Sequence, residues 1–162
     1  MKVIKGIINV LTTLIIVIGG IFLFLYICGI VPYVVLSGSM EPTIQTGSIC
    51  FINKHTDINS IKENDIIAFK HDDGALITHR VVEINENGIK TKGDNNKSID
   101  SNIVKKENYV GKNIFWIPKI GYIVKKLQTT KGAIMLITCV VLLFVYGLLF
   151  GEDDKKPKEK NY

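Results

Sequence analysis

Between Lys5 and Glu41 the chain carries no charged residue, and from Leu11 to Val31 it is almost wholly apolar. A run of that length is suited to crossing a bilayer. It is also longer than the apolar region of a secretory signal, roughly 7–15 residues, so a retained helix over residues 7–31 is expected rather than a removable leader. A second uncharged run, "GAIMLITCVVLLFVYGLLFG", occupies residues 132–151 between Lys131 and Glu152. It too has spanning length. Neither run holds a charged residue at its centre, which argues against a transporter or channel.

Lysines set the expected orientation. Lys2 and Lys5 precede the first run, and Lys155, Lys156, Lys158 and Lys160 follow the second. Under the positive-inside bias, residues 1–6 and 152–162 are cytoplasmic and residues 32–131 lie outside. Lys119, Lys125, Lys126 and Lys131 stand against this assignment, on the outer side. The net charge of +5 does not indicate nucleic acid: Arg80 is the only arginine among 20 basic residues, and no basic stripe with interleaved aromatics occurs. Cys28 and Cys139 lie in the apolar runs, and Cys50 stands alone in the polar region. With no CxxC and no His/Cys cluster, neither zinc nor a disulfide framework is expected. His71, Asp72 and Asp73 are consecutive, a poor arrangement for presenting ligands to one metal ion, and no cofactor is expected.

Between the apolar runs the pattern is that of strands. "SICFINK" (48–54), "NDIIAFKH" (64–71), "ALITHRVVEI" (75–84) and "NYVGKNIFWIP" (108–118) are rich in Ile, Val and Phe and are separated by turn residues. Asn87-Gly88 sits between two such stretches and predicts a hairpin. Pro118 and Gly121 end the last strand, and "GYIVKKLQTT" is the first stretch with a helical pattern.

Just past the first apolar run the chain reads "VVLSGSMEPTIQTGSICF". Small residues at Ser37 and Ser39 fit a site cut by another enzyme, or Ser39 is itself a nucleophile. A serine hydroxyl needs a neighbouring base to remove its proton. His79 lies in the middle of an apolar strand, where it serves as such a base or as a core histidine satisfied by the backbone. An imidazole base works best with a carboxylate on its other nitrogen. Asp94 and Asp100, in "KGDNNKSID", are both available for that place. His55 and His71 sit in polar turns and read as solvated.

In that order and after an N-terminal anchor, "SGSMEPT", "THRVVEI" and "KGDNNKSID" resemble the type I signal peptidase family. The likeness is to its SipW-type branch, shared by the endoplasmic-reticulum enzyme, archaeal enzymes and a sporulation-linked peptidase of Gram-positive bacteria. It runs from the first helix to about Tyr122. The resemblance implies a mainly β, signal-peptidase-like catalytic domain with two flanking transmembrane helices in a cell membrane. It implies Ser39 as nucleophile and, in place of the lysine of the common bacterial enzymes, His79 as base. Asp100, six residues beyond the aspartate of "GD", completes the triad; Asp94 supports the site, and the Ser37 hydroxyl joins the Ser39 N–H in an oxyanion hole. The implied substrates are secreted precursors with small residues one and three positions before the cut. Membrane lipid and the secretion translocon are the implied partners, and a Gram-positive bacterium the implied source. In one departure Asn64 stands where the family commonly has glycine before an aspartate, and asparagine tolerates a left-handed backbone. The competing reading from another class is a membrane-anchored binding or scaffold module with an inactive peptidase fold.

Overall fold

The structure, a computed structural model, describes residues 2–130 and isolated positions between 132 and 145. The second apolar run, 132–151, and the tail at 152–162 lie largely outside the described residues, so the second expected span is not seen. The chain divides into two compact units, and the folded body is Gly20–Lys125.

Helix α1, Lys2–Ile27, contains one stretch long and apolar enough to cross a membrane, Lys5–Ile27. It closes through bonds from the Cys28 and Gly29 amides to the carbonyls of Phe24 and Tyr26. Gly29 then takes a φ of 74°, which favours glycine, and a Cβ there would lie 2.7 Å from the His55 ring. The helix ends at Ile27, before the expected boundary at 31, because Ile30 and Val31 are taken by strand β1 (Ile30–Val34). β1 pairs antiparallel with β2 (Ile49–Asn53) at the edge of a six-stranded sheet. Pro32 is compatible with that edge position.

The remaining strands are β3 (Ile66–Lys70), β4 (Leu76–Asn85), β5 (Gly88–Lys92) and β6 (Tyr109–Ile117). Every pairing is antiparallel, in the order β1-β2-β6-β3-β4-β5. Helix α2, Gly121–Leu127, follows β6. The pleat of β3 explains its unbroken apolar run. Ile66 and Ala68 join a core with Met40, Ile44, Cys50 and Ile52, whereas Ile67 and Phe69 point the other way into a second core with Val81, Ile89 and Val104. Asn64, just before β3, has a φ of 71°, the left-handed conformation expected to be accessible to it. The hairpin at Asn87-Gly88 forms with Asn85 opposite Gly88, so its two-residue loop is Glu86-Asn87 and only Gly88 needs a positive φ, 131°.

Candidate active site

Ser39 stands in the turn that follows β1. The next residue anchors it: Met40 is 2 % exposed and, with Ile44, is packed into the first core. Bonds from the Glu41 amide to the Gly38 carbonyl and from the Ile44 amide to the Met40 carbonyl close the turn. The Glu41 carboxylate accepts from the backbone amide and hydroxyl of Thr46, at 3.1 and 2.9 Å. Those two bonds hold the Glu41 carboxyl below its ordinary pKa.

His79 comes from the middle of β4, directly opposite Ile67 in β3. It is 5 % exposed, with its ring edge-on to Phe69 at 6.2 Å between centroids. Such burial demands partners for both ring nitrogens. His79 Nε2 lies 3.0 Å from Ser39 Oγ, and Nδ1 lies 2.6 Å from Asp100 Oδ2. Asp100 follows β5 by a turn tied back to the strand through its own amide, which donates to the Thr91 carbonyl at 2.9 Å. The hydroxyl of fully buried Thr91 donates to the same Oδ2 at 2.7 Å. A carboxylate only accepts, so Nδ1 carries the proton and Nε2 offers its lone pair to the serine. That arrangement can draw the proton from Ser39 Oγ as it attacks a carbonyl carbon.

The two aspartates left open by the sequence are separated by the pleat of β4. His79 and Arg80 point to opposite faces. His79 meets Asp100, whereas Arg80 holds Asp94 through Nε to Oδ1 at 2.8 Å and Nη2 to Oδ2 at 2.7 Å. Arg80 Nη1 also donates to the Asn64 carbonyl at 3.0 Å. The Arg80 bond is the main reason the Asp94 carboxyl sits below its ordinary range, with Thr43 contributing, and the same bond raises the Arg80 guanidinium.

The turn after β5 presses against the turn that carries Ser39. The Asn95 amide donates to the Ser39 carbonyl at 2.8 Å, and Asn95 Nδ2 donates to the Gly38 carbonyl at 3.2 Å. A Cβ at Gly93 would lie 2.6 Å from the Ser39 carbonyl oxygen, so the approach requires glycine. Ser37 Oγ lies 3.3 Å from Ser39 Oγ. Thr91 and Asn95 were not singled out from sequence. Asn95 lies inside "KGDNNKSID", which is the available signal; Thr91 has none beyond its place on β5.

Ser39 and His79 border a cleft of about 610 Å³ between the segment leaving β1 and the start of β4. Tyr33, Val35, Leu36, Met40, Cys50 and Leu76 give it an apolar lining. Burial pushes the Cys50 thiol up to about 12, so it lines the cleft as a neutral group. Among the described residues no group of three or more His, Cys, Asp or Glu is arranged to hold a metal ion.

The family described as "Signal peptidase, peptidase S26" matches residues 7–110. Signal peptidase I W of Bacillus subtilis (strain 168) is 45% identical over 78 residues, covering 46% of this chain and 41% of that protein. The signal peptidase complex catalytic subunit SEC11 of Eremothecium gossypii is 37% identical over 119 residues, covering 63% of this chain and 70% of that protein. SEC11C of Canis lupus familiaris is 36% identical over 103 residues, covering 56% and 53%. The chain thus spans about half the length of the curated relatives it matches, from 41% to 70% in these three. These relatives agree with the branch that the three sequence boxes resemble.

Proposed function

The chain belongs to the signal peptidase family, peptidase S26, and from that premise we propose that it is a membrane-bound serine endopeptidase that removes N-terminal signal peptides from secreted precursors. One observation carries the reading: an unbroken hydrogen-bonded series from Ser39 Oγ through the His79 ring to Asp100 Oδ2, beside an apolar cleft.

In the proposed reaction Ser39 Oγ attacks the carbonyl carbon of the scissile peptide as His79 Nε2 takes its proton. The carbonyl π electrons move to oxygen, and the Ser39 N–H and the Ser37 hydroxyl hold that oxyanion. The imidazolium, steadied by Asp100, then protonates the leaving amine, and the C–N bond breaks to leave an ester on Ser39. Water, deprotonated by His79, attacks the ester and releases the signal peptide with Ser39 restored. Asp94 has no part in proton transfer. With Arg80 it braces the turn that carries Asn95.

The apolar cleft suits a short extended segment with small side chains one and three positions before the cut. The proposal includes two spans, at Lys5–Ile27 and 132–151, with the β domain between them outside the cell. It also includes residence in the membrane of a Gram-positive bacterium, with the precursors arriving from the secretion translocon. The test is cleavage of a precursor by the purified full chain, with N-terminal sequencing of the product. The reading expects one new terminus after a small–x–small site. Intact precursor with the wild-type chain, or cleavage that persists in Ser39→Ala, contradicts it.

A further inference from the structure

The Gly38–Ser39 peptide links the nucleophile to the turn after β5, and its orientation decides where the Ser39 N–H points. That peptide is trans, the cis bond among the described residues being Glu41–Pro42. In a trans peptide the carbonyl and the following N–H point in opposite directions. The Gly38 carbonyl accepts from Asn95 Nδ2 at 3.2 Å and from the Glu41 amide at 3.1 Å. The Ser39 carbonyl is drawn to the same side by the Asn95 amide at 2.8 Å. The Ser39 N–H is therefore turned away from the Asn95 turn, and among the described residues it has no hydrogen-bond partner.

We infer that the Asn95 side chain is a positioning residue for the oxyanion hole: it holds the Gly38 carbonyl so that the Ser39 N–H faces the oxygen on which charge develops. The inference rests on the serine-peptidase reading above and adds a residue to it. The Glu41 bond lies within the nucleophile turn and moves with it, whereas Asn95 ties that turn to the separate turn after β5. Either backbone bond alone leaves the peptide plane a hinge. The side-chain amide removes it. Nδ2 must be the atom facing Gly38, since the amide oxygen cannot donate to a carbonyl.

A hole that is badly aimed weakens transition-state binding while leaving ground-state binding almost intact. Asn95→Ala removes the donor. Asn95→Asp keeps the shape and the backbone bond to Ser39 but places an acceptor opposite the Gly38 carbonyl. Both are compared with wild type and Ser39→Ala as full-length protein in detergent, on a fluorogenic peptide with alanine one and three positions before the cut. Each Asn95 variant is expected to lower kcat by roughly 10–100-fold, less than the direct loss of an oxyanion donor, with KM changed less than about threefold. The inhibition constant of a peptide aldehyde, whose adduct with Ser39 carries an oxyanion, is expected to weaken by a similar factor. Binding of the matching uncleavable ketomethylene peptide should not change.

If wild type does not cleave, or cleaves no faster than Ser39→Ala, the peptidase reading itself falls and the inference falls with it. If wild type cleaves and both Asn95 variants keep its kcat, the reading stands and the inference is wrong. Equal weakening of aldehyde and ketomethylene peptide makes the contact one of substrate binding and also overturns it. So does loss of the folded state in both variants, which makes the contact one of stability.

Discussion

Arg80 grips Asp94 at two points, at 2.8 and 2.7 Å, one residue along β4 from the histidine that meets Ser39. Because neighbours on a strand face opposite ways, a single dipeptide serves both sides of the site. His79 meets Ser39, and Arg80 secures the turn that carries Gly93 and Asn95.

Asp94 is therefore expected to affect stability more than chemistry. Its carboxyl is held below its ordinary range chiefly by Arg80, so the fold favours the ionised form. The stability this adds is fully present above the unfolded pKa, about 3.9, and is lost as pH falls through the lower folded value. Asp94→Asn is expected to cost about 1.5–3 kcal/mol at pH 7, the range for hydrogen bonds to charged groups. It should also flatten the fall in stability below pH 4, while precursor cleavage stays measurable. Denaturant titrations of both proteins from pH 7 to pH 3 check this; parallel curves would show that the pair is not coupled to folding.

Much of this was legible in the strands. The four β runs between the apolar blocks, and the hairpin near Asn87, appear where Ile, Val and Phe alternate with turn residues. β1 was not, because Ile30 and Val31 continue the apolar run of α1, and hydropathy alone does not separate a membrane helix from a buried strand. The roles of the two aspartates were equally closed to spacing. Asp94 and Asp100 are six residues apart, and only the pleat of β4 and the turn after β5 assign one to Arg80 and the other to His79. Nothing in the sequence marks Thr91; its hydroxyl matters because Asp100 folds back over it.

Thr91→Val tests that last contact. The hydroxyl is fully buried, and Asp100 Oδ2 shares its lone pairs between Thr91 and His79. Removing the donor leaves the carboxylate a bond short and free to rotate away from Nδ1. Precursor cleavage is expected to fall about tenfold, in line with roughly 1–3 kcal/mol for an unsatisfied buried group, and Thr91→Ser should restore most of it. Equal activity in Thr91→Val and wild type would show that Asp100 is held without Thr91.

The proposed topology predicts a clear labelling pattern. Asn87 lies in the β4–β5 loop, and Asn161 is near the end of the lysine-rich tail. In intact cells an impermeant thiol reagent should label Asn87→Cys and spare Asn161→Cys until the membrane is opened. Protection of Asn87→Cys would reverse the orientation proposed for the domain.

The central claim is that His79 Nε2, 3.0 Å from Ser39 Oγ, takes the serine proton. The most direct measurement is the single-turnover rate of precursor cleavage by purified, folded His79→Ala beside wild type and Ser39→Ala. Members of a triad act as a unit, so His79→Ala and Ser39→Ala should each lose about a thousandfold or more in rate and do so alike. His79→Ala cutting at the wild-type rate would contradict the account, since the histidine could not then be the base.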